Sequence, residues 1–151
     1  MTPDVDVELR PVTDDDADFL YRLNEAAMRV YVEQTFGQWD ETVQRPIFAE
    51  GWSPATTRIV VVDGQDIGML QVFRREAEVH LSNVRLLPAY QGKGVGTRLI
   101  SDVLQDAHGR GQPVTLSVFK VNPARRLYER LGFVLVSEDE QRYHMVAPPP
   151  A

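Results

Sequence analysis

The chain has 151 residues, 43% hydrophobic and 25% charged, the composition of a globular domain long enough to bury one sizeable core. Its 22 acidic and 16 basic residues give a formal net charge of −6, which argues against a nucleic-acid partner, since such proteins present a basic face. The absence of cysteine removes thiol nucleophiles, disulfides and thiolate metal sites.

MTPDVDVELR, the first ten residues, has neither a basic start nor an apolar run, so no secretory signal is expected. No segment approaches the ~18 consecutive apolar residues of a membrane span, and the expected location is cytoplasmic. Val5 to Arg10 alternates apolar and polar residues, the period of a half-buried strand. Thr13 with Asp16 three residues on forms a variant capping box. Behind it Phe19, Leu20, Leu23, Ala26, Ala27, Val30 and Tyr31 recur at helical spacing until Gly37. A weaker amphipathic segment runs from Trp39 to Glu50. Arg58 to Asp63 reads as a strand joined through the tight-turn pair Asp63-Gly64 to a second strand, Ile67 to Phe73. A longer strand, Glu76 to Leu87, stops at Pro88.

Within that strand the apolar positions change parity: Val79 and Leu81 are odd, Val84 and Leu86 even, with Ser82-Asn83 between. A strand that keeps one apolar face through such a switch needs one extra residue, a β-bulge. Val95, Leu99, Ile100, Val103, Leu104 and Ala107 then make a helical stripe ended by Gly109 and Gly111. Val114 to Phe119 is a strand. Asn122-Pro123 reads as an N-cap and first helical residue of a short helix to Leu131, with Gly132 at its end. Phe133 to Val136 and Arg142 to Val146 close the chain as a strand pair. The expected organisation is one α+β domain over residues 1–146 and a disordered tail, APPPA, at 147–151.

Gln91-Gly92-Lys93-Gly94-Val95-Gly96-Thr97 lies between a strand and a helix. Glycines at a helix start bring main-chain N–H groups close to an anionic ligand, and the helix dipole adds about half a positive charge. A P-loop needs its lysine and hydroxyl at the loop's end, whereas Lys93 is central and Gly96-Thr97-Arg98 has no lysine. A dinucleotide site needs G-x-G-x-x-G and a later acid, and the spacing here is G-x-G-x-G.

The spacing Gln91-x-x-Gly94-x-Gly96 resembles the acyl-CoA signature of the GNAT superfamily of CoA-dependent N-acyltransferases. Asn122-Pro123-Ala124-Arg125-Arg126-Leu127-Tyr128-Glu129-Arg130-Leu131-Gly132-Phe133 resembles its tyrosine helix ending in G-F. The order of elements is similar along nearly the whole chain. The resemblance implies a mixed, mostly antiparallel sheet of six or seven strands, splayed after a bulged fourth strand and flanked by about four helices. It implies acetyl-CoA as co-substrate, bound by Leu86, Leu87, Gln91, Gly92, Lys93, Gly94, Val95, Gly96, Thr97, Asn122 and Tyr128, and no metal. Family members often carry an asparagine seven residues before the tyrosine. Asn122 stands six before Tyr128, so it is also expected to cap its own helix.

The implied reaction is attack of a neutral amine on the thioester in a ternary complex. A main-chain N–H at Leu86 or Leu87 would hold the oxyanion, with Tyr128 as general acid and Glu78 or His80 as base. YVEQTFGQWD, residues 31–40, falls where the acceptor pocket is expected, with Tyr31 and Trp39 as walls and Glu33 pairing with a cationic amine. Net negative charge favours a polyamine, lysine or aminoglycoside acceptor, and a homodimer is a family habit. The competing expectation is a non-catalytic CoA-binding module of the same fold.

Overall fold

The computed structural model describes residues 6–150. In chain order the elements are β1 (Val7–Pro11), α1 (Ala17–Phe36), α2 (Glu41–Gly51), β2 (Thr57–Val62), β3 (Gln65–Arg74), β4 (Val79–Leu86), α3 (Val95–Gly109), β5 (Val114–Phe119), α4 (Arg125–Arg130), β6 (Val134–Glu138) and β7 (Arg142–Ala147). One sheet holds all seven strands in the order β1-β2-β3-β4-β5-β7-β6. Only β4 and β5 run parallel; the other neighbours are antiparallel. The expected α+β class, mixed sheet and four helices are all present.

Strand alternation assigns the two faces of this sheet. Val60 and Val62 of β2 pack with Leu99, Ile100, Val103, Leu104 and Ala107 of α3. Ile59, of opposite parity, packs with Leu20 and Leu23 of α1 and Met69 of β3. Helices therefore cover both faces. Each fully buried aliphatic side chain of the α3 stripe contributes roughly 1.5–3 kcal/mol, and that stripe holds the start of α3 against the sheet. Asp63 and Gly64 both adopt positive φ (51° and 75°), the two-residue turn expected from their sequence.

The bulge in β4 sits where the parity switch puts it. Asn83 faces Gln71 and Leu81 faces Val72, leaving Ser82 as the extra residue. On either side of it Val79, Leu81, Val84 and Leu86 all pack on the α3 face. Beyond the bulge β4 leaves its parallel neighbour: β4 and β5 pair only at Val79–Val114 and His80–Thr115. β5 continues along β7 from Val114 to Phe119, so a gap opens between β4 and β5.

Several boundaries differ from expectation; β4, for one, begins at Val79 rather than Glu76 and ends at Leu86 rather than Leu87. Val5 lies outside the described residues, and β1 runs on to Pro11. Ala147, expected in the tail, belongs to β7 opposite Val114 and is buried; its carbonyl lies 3.1 Å from His108 Nε2. The sheet edge thus extends one residue before the prolines stop it, and residues 148–150 have no regular structure. α4 begins at Arg125 rather than Pro123 because the Asn122 side chain accepts from the Ala124 N–H at 2.9 Å and holds a preceding turn.

Candidate active site

Main chain builds one side of the cleft. Gly92 and Gly94 have φ of 74° and 85°, a region costing a residue with a Cβ roughly 1–2 kcal/mol. A Cβ at either position would meet nothing within 4 Å, so backbone conformation rather than crowding asks for glycine. Arg98 is the first residue of α3 whose N–H finds a carbonyl, that of Gly94 at 3.0 Å. Among the described residues the N–H groups from Gly92 to Thr97 have no acceptor. They lie at the positive end of the α3 dipole, where anions are favoured. Gln91, Gly92, Gly94, Gly96 and Thr97 line a cleft of about 490 Å³. Its set of main-chain donors fits the phosphates of a CoA-like ligand.

The other expected loop residues divide by role. Gln91 donates its side-chain amide to the Leu86 carbonyl at 3.0 Å, tying the loop to the end of β4. Val95 is buried in the core, so only its main chain faces outward. Lys93 does not line the cleft; its ammonium sits 5.9 Å from the Tyr90 ring centroid.

Antiparallel pairing decides which main-chain group on β4 is free. Leu87 donates to the Ile67 carbonyl at 2.8 Å, so its N–H is spent and it does not line the cleft. That removes Leu87 from the two expected oxyanion donors. Alternation of the ladder turns the Leu86 N–H the opposite way, into the gap left by β5. Tyr128 of α4 closes this gap. Its ring packs edge-on against Phe133 at 5.8 Å, and its hydroxyl has no partner among the described residues. Burial pushes the phenol above its ordinary value, and Arg85 opposes that only in part. Asn122 lines the same cleft while capping its own turn.

Met28, Val84, Arg85, Asn122 and Tyr128 are shared with an inner chamber of about 250 Å³. Beyond it lies an outer chamber of about 270 Å³ that also touches Arg85 and Arg142. Sequence reasoning passed over both arginines. Arg85 donates to Asn24 Oδ1 (3.3 Å), the Val84 carbonyl (3.3 Å) and Asn83 Oδ1 (2.6 Å), and to no carboxylate. Burial lowers its affinity for a proton, offset only by Tyr128. The signal available was a charged residue at an odd position just after the bulge, but strand parity alone reads it as solvated.

His80 lines the inner chamber with Nδ1 2.8 Å from Thr115 Oγ1. Desolvation, helped by nearby Arg75, holds it below its ordinary value and therefore neutral at pH 7. It stands six residues before Leu86, about 20 Å along the strand. Glu78 lines neither chamber and instead pairs with Arg75 at 3.5 Å. Tyr31 lines the cleft. Glu33 is held by Arg29 at 2.6 Å on the exposed side of α1 and lines none of these cavities. Trp39 is a wall of the outer chamber and packs on Tyr21 at 6.3 Å. No Asp or Glu lines either chamber among the described residues. The expected acid for a cationic acceptor is thus absent from the walls, and arginines stand there.

Comparison with known proteins agrees with this fold. The family model described as the Acetyltransferase (GNAT) family matches residues 19–133. The mycothiol acetyltransferase of Sanguibacter keddieii is 33% identical over 141 residues, 89% of this chain and 42% of that protein. The [ribosomal protein bS18]-alanine N-acetyltransferase of Haemophilus influenzae is 40% identical over 57 residues, 37% of this chain and 39% of that protein. The chain thus aligns with less than half the length of either curated relative. The PaiA N-acetyltransferase of Thermoplasma acidophilum, solved with coenzyme A, shares the fold at TM-score 0.73 and 17% identity, covering 95% of this chain and 99% of that one.

Proposed function

Since the chain belongs to the acetyltransferase (GNAT) family, we propose that it transfers an acetyl group from acetyl-CoA to the amine of a small acceptor. The observation that carries this reading is one cleft lined by unpartnered donors at the start of α3, the free Leu86 N–H and the unpartnered Tyr128 hydroxyl.

Each group then has a task. N–H groups from Gly92 to Thr97 bind the diphosphate, with no side-chain charge required. The Leu86 N–H donates to the thioester oxygen as negative charge grows there, an interaction typically worth roughly 3–4 kcal/mol. The amine nitrogen bonds to the acetyl carbon, the carbon–sulfur bond breaks, and Tyr128 gives its proton to the departing sulfur. Burial keeps Tyr128 protonated until that moment. The proton lost by the amine restores Tyr128 through water.

Delivery of a neutral amine follows from the chamber's charge. Arg85 and Arg142 line it and no carboxylate does, so an ammonium is disfavoured there relative to water. Neutral His80 accepts a proton only through intervening water, given its distance along β4 from Leu86. Incubation with acetyl-CoA and an amine panel, followed with a thiol-reactive dye, tests the reading. The chain has no cysteine, so dye signal reports free CoA. Amine-dependent CoA release is expected; acetyl-CoA binding without release for any amine would leave only a binding module.

A further inference from the structure

We propose that the acceptor is a small amine carrying a carboxylate, and that Arg85 and Arg142 hold that carboxylate where the inner and outer chambers meet. This deepens the acetyl-transfer reading and rests on it. Both arginines line both chambers, yet neither forms a salt bridge with an acid among the described residues. Arg45, Arg58, Lys93, Arg126 and Arg130 also lack an acid partner among the described residues, but all five are exposed, whereas Arg85 and Arg142 are partly buried in the chamber walls.

Arg85 is held in place by neutral groups. Asn24 and Asn83 each offer a side-chain oxygen and Val84 a carbonyl. A guanidinium has five N–H donors; those three bonds leave two to face the chamber. Arg142 lies over Phe119, its guanidinium carbon 4.4 Å from the ring centroid, and among the described residues its guanidinium donates no hydrogen bond. An unpaired, desolvated guanidinium is costly, and a fork of this shape matches a carboxylate in a bidentate pair. Chambers of about 250 and 270 Å³ suit a small molecule. A polyamine would meet two like charges and no acid.

Both tryptophans of the chain, Trp39 and Trp52, line the outer chamber, so their fluorescence reports occupancy without turnover. The probes are N-acetylglycine and N-acetyl-leucine, each against its neutral amide; acetylation removes differences in amine basicity. The carboxylates are expected to change the emission with affinities about tenfold or more above the amides, an advantage that shrinks with added salt. Arg142→Gln and Arg85→Gln should each erase the advantage, and Arg142→Lys should restore part of it. Equal affinity for acid and amide, silence from both, or a preference that survives both glutamine variants would overturn the proposal. Calorimetric titration with acetyl-CoA in parallel separates this outcome from failure of the acetyl-transfer reading.

Discussion

The two ends of the cleft are made of different material. Towards α3 the donors are main-chain N–H groups, presented by two glycines in left-handed conformation and the first turn of a helix. Towards β7 the wall is side chain, dominated by Arg85, Arg142, Tyr128 and His80. On the proposed reading, a main-chain cradle is insensitive to most substitutions and would recognise what every acyl-CoA shares, its phosphates. A side-chain wall can change residue by residue, and on the same reading it would set which acceptor is admitted. The bulge at Ser82 joins the two: it turns β4 away from β5 and so exposes the Leu86 N–H between them.

If the division holds, Tyr128→Phe gives the largest effect. It should lower kcat about a hundredfold or more, as loss of a general acid does, while calorimetry finds acetyl-CoA affinity nearly unchanged. A parallel loss of affinity would make Tyr128 part of the cradle instead. Next in size is a control remote from both ends. The Asp16 carboxylate, held by the Arg10 fork at 2.8 and 2.9 Å and by the Thr13 N–H, sits at about 2 against an ordinary 3.8. Lowered in the fold, it stabilises above its ordinary value and stops doing so as pH falls through about 2. Asp16→Asn should therefore cost roughly 2 kcal/mol at pH 7 in urea unfolding, with the gap closing between pH 4 and pH 2. Turnover at pH 7 should be unchanged in the folded variant.

Gly94→Ala comes third. Forcing a Cβ into φ near 85° costs about 1–2 kcal/mol, and relaxation of the loop should weaken acetyl-CoA binding about tenfold with kcat at saturation little altered. Smallest is Lys93→Ala, expected to move the acetyl-CoA Kd by no more than about twofold at 150 mM salt, because an exposed cation is largely screened. A larger loss would shift the cradle from main chain towards side chain.

The cradle was legible in the sequence because glycine spacing and helix starts are local properties of the chain. The bulge was legible for a similar reason: the parity of Val79, Leu81, Val84 and Leu86 is written in consecutive residues, and one apolar face must be kept. The choice between Leu86 and Leu87 was not, since it depends on which N–H of β4 meets β3. Arg85 and Arg142 come together from strands far apart in sequence, and a net charge of −6 gives no sign of them because the acids sit elsewhere. Glu33 illustrates this, placed one helical turn from Arg29 and satisfied there.

The most direct test of the main-chain cradle is a titration of ¹⁵N-labelled protein with acetyl-CoA, following the amides of Leu86 and of residues 92–97. The account predicts downfield shifts of these N–H resonances, in the wild type and in Lys93→Ala alike. Binding measured by calorimetry with those amides unmoved would contradict it.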